Sequence, residues 1–247
     1  MLSSCLVTSV GKGYEKFLKE SLKEIPSIVK KIFIINDTGK EINKKINDKR
    51  ITYLENNTPL GLSKSLEKWS SEYLKYDLIF RLDIGDISNK ERFNEQYNFM
   101  VKNYDHIICG YQTKLIYPNK FEKYTFTSLK SKLIKFILLF RNCFVHGSIC
   151  IRSESLKKIG GYNGNLASCQ DIDLYLRLIN FGKFAIIKGD HHSHRFLKNF
   201  STTLNKKRNN YKITSFIRLN AAKKHLLLSP FLLLSSAYYY IKYLLKN

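Results

Sequence analysis

Residues 77–100, DLIFRLDIGDISNKERFNEQYNFM, contain the pattern that decides the fold class. The mostly apolar run Leu78–Leu82 predicts a buried strand, and Asp83 and Asp86 follow directly at its end. A helix is predicted to begin after Ser88 or Asn89, since either is a favourable N-cap residue. Open α/β folds bind their ligands at the carboxyl ends of the strands. The two carboxylates are therefore expected at a ligand-binding edge of a sheet.

Two carboxylates at such an edge suit a divalent cation that holds a diphosphate. Mg²⁺ and Mn²⁺ are bound in this way, by one or two carboxylates together with phosphate oxygens. Short acidic turns are also common, and in them the carboxylates only accept hydrogen bonds from backbone N–H groups. Asp83 and Asp86 are therefore candidate metal ligands, with a helix-capping turn as the alternative.

Alternating strand and helix patterns before residue 100 predict an α/β fold, with a parallel sheet covered by helices on both faces. Besides Leu78–Leu82, the pattern predicts strands at Cys5–Val10, Lys31–Ile35 and Ile51–Leu54, and helices at 14–25 and 62–74. Asp37 follows the second of these strands, so it is expected to face the same cleft as Asp83 and Asp86.

The pattern after residue 104 is less regular. It predicts strands at His106–Thr113, Phe144–Arg152 and Phe184–Ile187, and helices at 131–140, at 153–159 and from about Asp171 onward. Asp171 stands at the start of the last helix, where the helix dipole favours an acid by some tenths of a kcal/mol. A plain capping role is therefore the alternative to a chemical one for this residue.

The composition predicts an anionic partner and a cytoplasmic location. The 247 residues include 42 Lys and Arg against 20 Asp and Glu, which gives a formal charge of +22. Nucleic acid, an acidic membrane surface or a phosphorylated substrate would each suit this charge. The chain has no nucleic-acid-binding motif and no P-loop, so we expect no nucleic-acid partner. The five cysteines form no C-x-x-C pair and the N-terminus lacks a signal-peptide pattern, which is typical of a cytoplasmic protein.

Basic residues and an uncharged apolar run are combined in the C-terminal segment. Residues 226–241 carry no formal charge, and these sixteen residues fall short of the roughly 20 needed to span a bilayer. This combination predicts a helix in the interface of an anionic membrane, with docking on the domain or on a second copy as the alternative. We expect a domain at 1–200 and a helical tail at 201–247, peripheral on the inner face of the cell membrane.

Three histidines and an arginine follow the last predicted strand: His191, His192, His194 and Arg195. A zinc site is one interpretation, although the segment has no helical i, i+4 pair and no nearby cysteine. Contact of His194 and Arg195 with a diphosphate or a metal is the second interpretation. A solvated basic loop is the third.

Four segments in order resemble the family 2 glycosyltransferases, which are inverting enzymes of the GT-A fold that use nucleotide sugars. The segments are the first strand with its helix, IFIINDTGK at 32–40, RLDIGDISNKERFNEQ at 81–96, and HGSICIRSESLKKIGGYNGNLASCQDIDLYLRL at 146–178. The third is similar to the family's R-x-D-x-x-D-x-x-x-x-x-R-F-x-x-Q pattern. The fourth is similar to its G-G-Y turn and E-D-x-D-L-x-x-R helix start. The resemblance spans about residues 1–190 and implies a GT-A fold.

The resemblance implies a role for each candidate residue. Asp171 would be the general base that takes the proton of the acceptor hydroxyl. Asp83 and Asp86 would hold Mn²⁺ or Mg²⁺ on the diphosphate. Residues that contact the nucleotide sugar would be Thr8, Asp37, Arg81 and Asp83. The implied partners are a nucleotide-sugar donor and a glycan or glycolipid acceptor, such as a lipid-linked intermediate of lipopolysaccharide or capsule.

Two positions depart from the family pattern. Gly85 replaces the second carboxylate of the family's D-x-D-D, which bears on how a metal is held. Gln170 replaces the first acid of the family's E-D pair, and the loss of that like charge should lower the proton affinity of Asp171. Both departures also suit the alternative function, a nucleotide- or glycan-binding protein of the same fold without turnover.

Overall fold

The computed structural model describes residues 3–42, 46–197 and 207–245, in which two sheets are surrounded by helices. The strands are β1 Ser4–Val10, β2 Lys31–Asn36, β3 Ile51–Glu55, β4 Leu78–Arg81, β5 Ile87–Ser88, β6 His106–Tyr111, β7 Lys114–Ile116, β8 Glu122–Tyr124, β9 Cys150–Arg152, β10 Lys183–Ile187 and β11 His192–Arg195. The helices are α1 Leu18–Ser21, α2 Leu62–Lys68, α3 Ser70–Tyr73, α4 Lys90–Lys102, α5 Ser131–Leu138, α6 Ser153–Lys158, α7 Gln170–Leu178, α8 Lys207–Lys224 and α9 Ser229–Leu245. The predicted domain boundary near residue 200 lies outside the described residues.

The larger sheet has the strand order β10-β6-β9-β4-β1-β2-β3. Within the described residues its neighbouring strands run parallel, except that β9 is antiparallel to both β4 and β6. The carboxyl ends of β1, β2 and β4 therefore meet at one edge, as the alternating pattern predicted. The expected α/β fold with a mostly parallel central sheet is confirmed.

Alternating side chains of the central strands enter two separate cores. In β1, Cys5 and Val7 pack into the core on one face, and Leu6 packs into the core on the other. Helices α2, α3 and α5 to α9 supply the first core, whereas α1 and α4 supply the second. Because a strand is buried on both faces, its residues read as a continuous apolar run, and such runs allowed the strands to be predicted.

The smaller sheet has the order β5-β11-β7-β8 and covers the end of β4. Its strand β11 is antiparallel to β5 and parallel to β7. This strand contains the histidine segment, and His192 is completely buried. The interpretation of this segment as a solvated loop is therefore wrong, because residues 192–195 form a strand between β5 and β7 whose side chains are buried or half-buried.

Three predicted elements are shorter than the sequence pattern suggested. The helix expected at 14–25 is a 3₁₀ turn, Glu15–Phe17, followed by the short α1, and Pro26 disfavours helical backbone just before it. The helix expected at 62–74 is divided at Trp69 into α2 and α3. The strand expected at Phe144–Arg152 begins only at Cys150, after a 3₁₀ turn at His146–Ser148.

The C-terminal segment forms two helices, α8 and α9, that pack along each other, and α8 also packs on α7. Arg218 of α8 is fully buried and donates hydrogen bonds to the backbone oxygens of Leu138 and Leu139, at the end of α5. These contacts join α5, α8 and α9 into one layer. Among the described residues, no helix has the length and apolar character needed to cross a bilayer.

Candidate functional site

Asp83 lies in the loop after β4, at the carboxyl edge of the larger sheet. Its side chain is 32% exposed, and Arg81 Nη2 donates a hydrogen bond of 3.1 Å to its Oδ1. Arg81 is buried and also donates to the backbone oxygen of Val7 at 2.6 Å, so the sheet fixes its position. Burial raises the pKa of Asp83, against the opposing charge of Arg81. Arg81 thus fixes the carboxylate of Asp83, and a ligand at this edge of the sheet can reach it.

Asp86, three residues further on, is only 2% exposed and faces two histidines of β11. His194 Nδ1 lies 2.8 Å from Asp86 Oδ1, and His192 Nε2 lies 3.5 Å from Oδ2. Burial by itself would raise the pKa of Asp86, but the charge of His194 and the contacts with both rings outweigh it and lower the pKa well below its usual range. Although burial opposes it, Asp86 raises the pKa of His194 to about 9, so at neutral pH the two form a buried ion pair.

A chain of buried polar groups fixes the second histidine. Arg92 Nη1 donates to Ser88 Oγ at 2.9 Å, and this oxygen lies 2.5 Å from His192 Nδ1. Because the hydroxyl accepts from Arg92, its own proton points to Nδ1, and a neutral ring then carries its proton on Nε2, towards Asp86. Burial lowers the pKa of His192 to about 4, which keeps the ring neutral. Gln96 Oε1 accepts a hydrogen bond of 3.1 Å from Arg92 Nε. The arginine and the glutamine of the R-F-x-x-Q segment thus fix the polar groups that contact the acidic loop.

Two glycines lie against the acidic loop. Gly85 has φ +105°, a conformation that favours glycine, and a Cβ there would lie 3.3 Å from the Leu197 side chain. A Cβ on Gly147 would lie 2.9 Å from both Asp83 N and Asp86 Oδ2. The backbone therefore explains why glycine, rather than a second aspartate, occupies position 85.

Asp171 lies in the first turn of α7 and is partly exposed. Asn142 Nδ2 donates a hydrogen bond of 2.6 Å to Asp171 Oδ2, and Asn142 Oδ1 accepts one of 3.0 Å from Phe144 N. Since the amide oxygen must face Phe144 N–H, the amino group of Asn142 is directed to the carboxylate. Burial raises the pKa of Asp171, so this carboxylate takes up a proton more readily than an exposed aspartate does.

Asp83 and Asp171 act on each other although they lie in different elements. The charge of Asp83 contributes to the raised pKa of Asp171. Both carboxylates also add to the effect of burial on Tyr162, whose pKa is about 12. The Tyr162 hydroxyl lies 2.9 Å from His146 Nε2, and burial lowers the pKa of His146, so this pair is uncharged at neutral pH. The structure thus brings the two predicted acidic centres to one site, with an uncharged polar pair close to both.

Asp37 and Thr8 lie near the ends of β2 and β1. Both oxygens of Asp37 are engaged, since they accept hydrogen bonds from Asn56 Nδ2 and from the backbone N–H groups of Leu60 and Gly61 at 2.7–2.9 Å. Thr8 is fully buried, and its Oγ1 has no hydrogen-bond partner in the part of the chain that the structure describes. Contacts of Thr8 and Asp37 with a nucleotide sugar stay predictions.

Arg195 connects β11 to the N-terminal part of the domain. Its Nη1 and Nη2 lie 3.1 and 2.8 Å from the carboxylate of Glu20, and its Nε donates to the backbone oxygen of Gly85. His194 and Arg195 therefore both hold the acidic loop. Their predicted contact with a diphosphate or a metal stays a prediction.

The donor atoms present fit a divalent cation only in part. In residues 3–42, 46–197 and 207–245, no group of three or more His, Cys, Asp or Glu side chains could hold a metal ion, so the zinc interpretation gains no support. Mg²⁺ and Mn²⁺ need fewer protein ligands when phosphate oxygens complete the shell. Asp83 meets that requirement. Asp86 Oδ2 is buried without a hydrogen-bond partner among these residues, and it would reach a cation only by moving away from the histidines.

Sequence reasoning missed three polar residues of the site: Asn142, His146 and Tyr162. The last two lie in segments that resemble the family, H-G-S and G-G-Y, so the region was identified but the pair was not. Asn142 follows a basic and apolar helix and stands in no motif, and the sequence offers no signal for it. The partners of Arg177 were also missed; its Nη2 lies 2.7 Å from Asp173 Oδ2, and its Nη1 donates to the backbone oxygens of Ile159 and Gly161, at the G-G-Y turn.

Comparison of sequences identifies one related segment. No protein-family model matches the chain. Over 107 residues it is 36% identical to the O-antigen biosynthesis glycosyltransferase WbnJ of Escherichia coli, a match that covers 43% of this chain and 41% of that protein. The matched segment thus spans less than half of the relative's length.

Comparison of structures covers far more of the chain. TarS 1-349 of S. aureus matches with a TM-score of 0.69 and 12% identity, over 98% of this chain and 72% of that one. TarS 1-349 in complex with UDP-GlcNAc matches at 0.63 and 12% identity, over 88% and 66%. GalNAc-T7 with UDP, GalNAc and Mn²⁺ matches at 0.58 and 13% identity, over 88% and 51%. The chain has the GT-A fold of these structures, so the fold that the motif resemblance implied is confirmed.

Proposed function

We propose that this chain of GT-A fold is an inverting glycosyltransferase that moves one sugar from a nucleotide sugar to a hydroxyl of a surface glycan. The observation that carries the proposal is that Asp83 and Asp171 are close enough for the charge of Asp83 to raise the pKa of Asp171. The Asp83 carboxylate is held by a buried arginine. The Asp171 carboxylate has a raised pKa and accepts a hydrogen bond from the fixed amide of Asn142. The names of the relatives, an O-antigen transferase and a transferase bound to UDP-GlcNAc, support this class of reaction.

The donor is proposed to bind along the carboxyl ends of β1, β2 and β4. Asp83 and Arg81 would contact the nucleotide sugar near its diphosphate, with Thr8 and Asp37 closer to the nucleoside. The unpartnered hydroxyl of Thr8 is a buried polar group that a ligand could satisfy. A divalent cation held by Asp83, when bound, would neutralise charge on the leaving diphosphate. Asp86 would support this loop through its ion pair with His194.

The transfer step uses Asp171 as general base. The acceptor hydroxyl gives its proton to the Asp171 carboxylate while its oxygen forms a bond to the anomeric carbon. The bond from that carbon to the diphosphate oxygen breaks, and its electron pair leaves with the nucleoside diphosphate. A single base suffices for one displacement with inversion. Asn142 would keep the accepting oxygen of Asp171 directed to the acceptor.

The acceptor is proposed to be lipid-linked, as in the assembly of lipopolysaccharide O-antigen or capsule. The protein would then work on the cytoplasmic side of the cell membrane, bound to its surface. The +22 charge suits both the phosphorylated donor and an anionic membrane.

Calorimetric binding of UDP, GDP and CMP, each with and without Mn²⁺, tests the donor site. We expect one nucleotide to bind, and we expect Asp83→Asn to weaken its binding at least tenfold while Asp190→Asn, on an exposed carboxylate, leaves it unchanged. Binding of none of the three would contradict the proposed donor site. Transfer is then assayed with sugar nucleotides of the base that binds, and nucleotide binding without any transfer would favour the non-catalytic alternative.

A further inference from the structure

The layer formed by α5 and α9 exposes an apolar surface on the outside of the protein. Along α9 and the turn before it, large side chains recur every three or four residues and are exposed: Leu227, Phe231, Leu234, Tyr238, Ile241 and Leu245. Leu226 and Leu227, in the turn between α8 and α9, are 86% and 92% exposed. Leu133 and Phe136 of α5 continue the surface, since the rings of Phe136 and Phe231 are 5.9 Å apart. We call these nine residues the C-terminal apolar face.

Charges around this face are of one sign. The sequence contains no Asp or Glu from residue 123 to residue 153, and none after Asp190. Lys132 of α5 and Lys223 and Lys224 of α8 are exposed close to the apolar residues. Pairing of two copies through this face would bring like charges together, which is unfavourable. Anionic headgroups beside an acyl layer would satisfy both the positive charge and the apolar side chains.

The face is also close to the acceptor side of the site. Asn142, which holds Asp171, is two residues beyond Phe140, and the ring of Phe140 lies 6.2 Å from the ring of Phe231 on the face. Two residues of chain reach at most about 7 Å. The buried guanidinium of Arg218 binds the end of α5 to α8, so this layer is not an independent appendage. A surface bound to the C-terminal apolar face therefore lies near the Asp171 carboxylate.

We propose that the C-terminal apolar face docks on an anionic lipid bilayer, with the Leu226–Leu227 turn inserted among the acyl chains. The helices then lie in the interface, and the edge with Asp171 is turned to the headgroup layer. If the proposed function holds, a sugar acceptor whose lipid is embedded in the same bilayer reaches the base directly.

Cosedimentation of the full chain with vesicles tests the docking. We expect binding to vesicles with about one third phosphatidylglycerol in phosphatidylcholine, and much weaker binding to phosphatidylcholine alone. Leu226→Asp with Leu227→Asp should reduce binding about a hundredfold or more, because two apolar side chains lose their insertion. Tyr104→Asp, which alters an exposed aromatic residue outside the face, should leave binding unchanged. Equal binding by the double variant and the wild type would overturn the proposal.

Fluorescence of Leu227→Trp gives a second measurement that does not depend on a loss of binding. The wild-type chain has one tryptophan, Trp69, which packs against the core and serves as the background. Brominated acyl chains should quench the new tryptophan and leave Trp69 unquenched. Absence of quenching would contradict membrane docking. A doubled mass by ultracentrifugation that the double variant loses, together with no binding of the wild type to vesicles, would also contradict it and would favour a second copy as the partner. Neither assay contains nucleotide, so their failure would leave the proposed transferase reaction untouched.

Discussion

Asp86 and Asp171 occupy similar positions in the sequence, yet the protein treats them in opposite ways. Each carboxylate lies near the start of a helix. Asp86 is buried between two histidines, with its pKa lowered, whereas Asp171 has one amide donor and a pKa raised by burial. Asp86 therefore stays ionised over the whole physiological pH range. Asp171 binds a proton more readily than an exposed aspartate does.

This difference shows that burial alone does not decide what an acidic residue does. Burial raises the pKa of both carboxylates, and only at Asp86 do the charge of His194 and the contacts with both rings reverse the direction of the shift. His194 supplies a positive charge to Asp86, while Asp171 faces Asn142 and the negative charge of Asp83. The loop after β4 is accordingly held in place by a buried ion pair, beside the proposed donor site. The first turn of α7 has the properties of a base.

The largest effect is expected from Asp171→Asn. The amide cannot accept the acceptor's proton, so kcat should fall about a thousandfold, within the range found for general bases. Nucleotide affinity by calorimetry should stay within about twofold of wild type, because the donor binds at a different element. Equal turnover of variant and wild type would show that Asp171 is not the base.

Asp86→Asn should instead act on stability. Removal of one partner of a buried ion pair leaves His194 facing a neutral amide, and the free energy of unfolding should fall by about 3 kcal/mol. Urea denaturation measures this, with Asp190→Asn on an exposed carboxylate as the control, for which a change within about 0.5 kcal/mol is expected. A variant as stable as wild type, with nucleotide affinity intact, would show that Asp86 does not hold the loop after β4 in place.

Gly147→Ala tests how closely the acidic loop is packed. The added Cβ would lie 2.9 Å from Asp83 N, and since this atom belongs to the backbone the loop must shift. The free energy of unfolding is expected to fall by about 2 kcal/mol, as it does when an extra group is inserted into a well-packed core. Gly11→Ala is the matched control, because a Cβ there meets nothing within 4 Å. Equal melting temperatures for the two variants would contradict the close packing.

The smallest effect is expected from Asn142→Leu, which removes the donor on Asp171. The bond from Asn142 stabilises the ionised carboxylate, so its loss raises the pKa of Asp171 further. Since the base must be deprotonated, the acid side of the kcat–pH profile should move to higher pH, and kcat at neutral pH should fall about tenfold or less. Asn142→Asp should move the profile in the same direction, whereas an unchanged profile in both variants would show that Asn142 does not position the base.

The strands and the acidic loop could be predicted because their signals are local. Four apolar runs of four to seven residues gave β1, β2, β3 and β4, and the segment 81–96 identified the acidic loop. In such runs both faces are buried, so the sequence alone reveals the strand. The α/β class with a parallel sheet followed from their alternation with helices, and the GT-A fold was implied by the family resemblance.

The contacts that complete the site could not be predicted, because they join distant parts of the chain. His194 reaches Asp86 only through the pairing of β11 with β5 and β7, and no pattern near the histidines specifies that register. Asn142 binds Asp171 through a loop whose course depends on the packing of α5. The strand predicted at Phe144–Arg152 includes the turn at His146–Ser148 because apolar residues stand on both sides of this turn in the sequence.

The pairing of Asp86 with His194 also orders events during synthesis. The two residues are 108 positions apart, and the ribosome releases the chain from its N-terminus, so the acidic loop is without its counter-charge until β11 has emerged. The helices with the C-terminal apolar face emerge later still. On the growing chain, both partners of this ion pair therefore leave the ribosome before the apolar, positively charged C-terminal helices do.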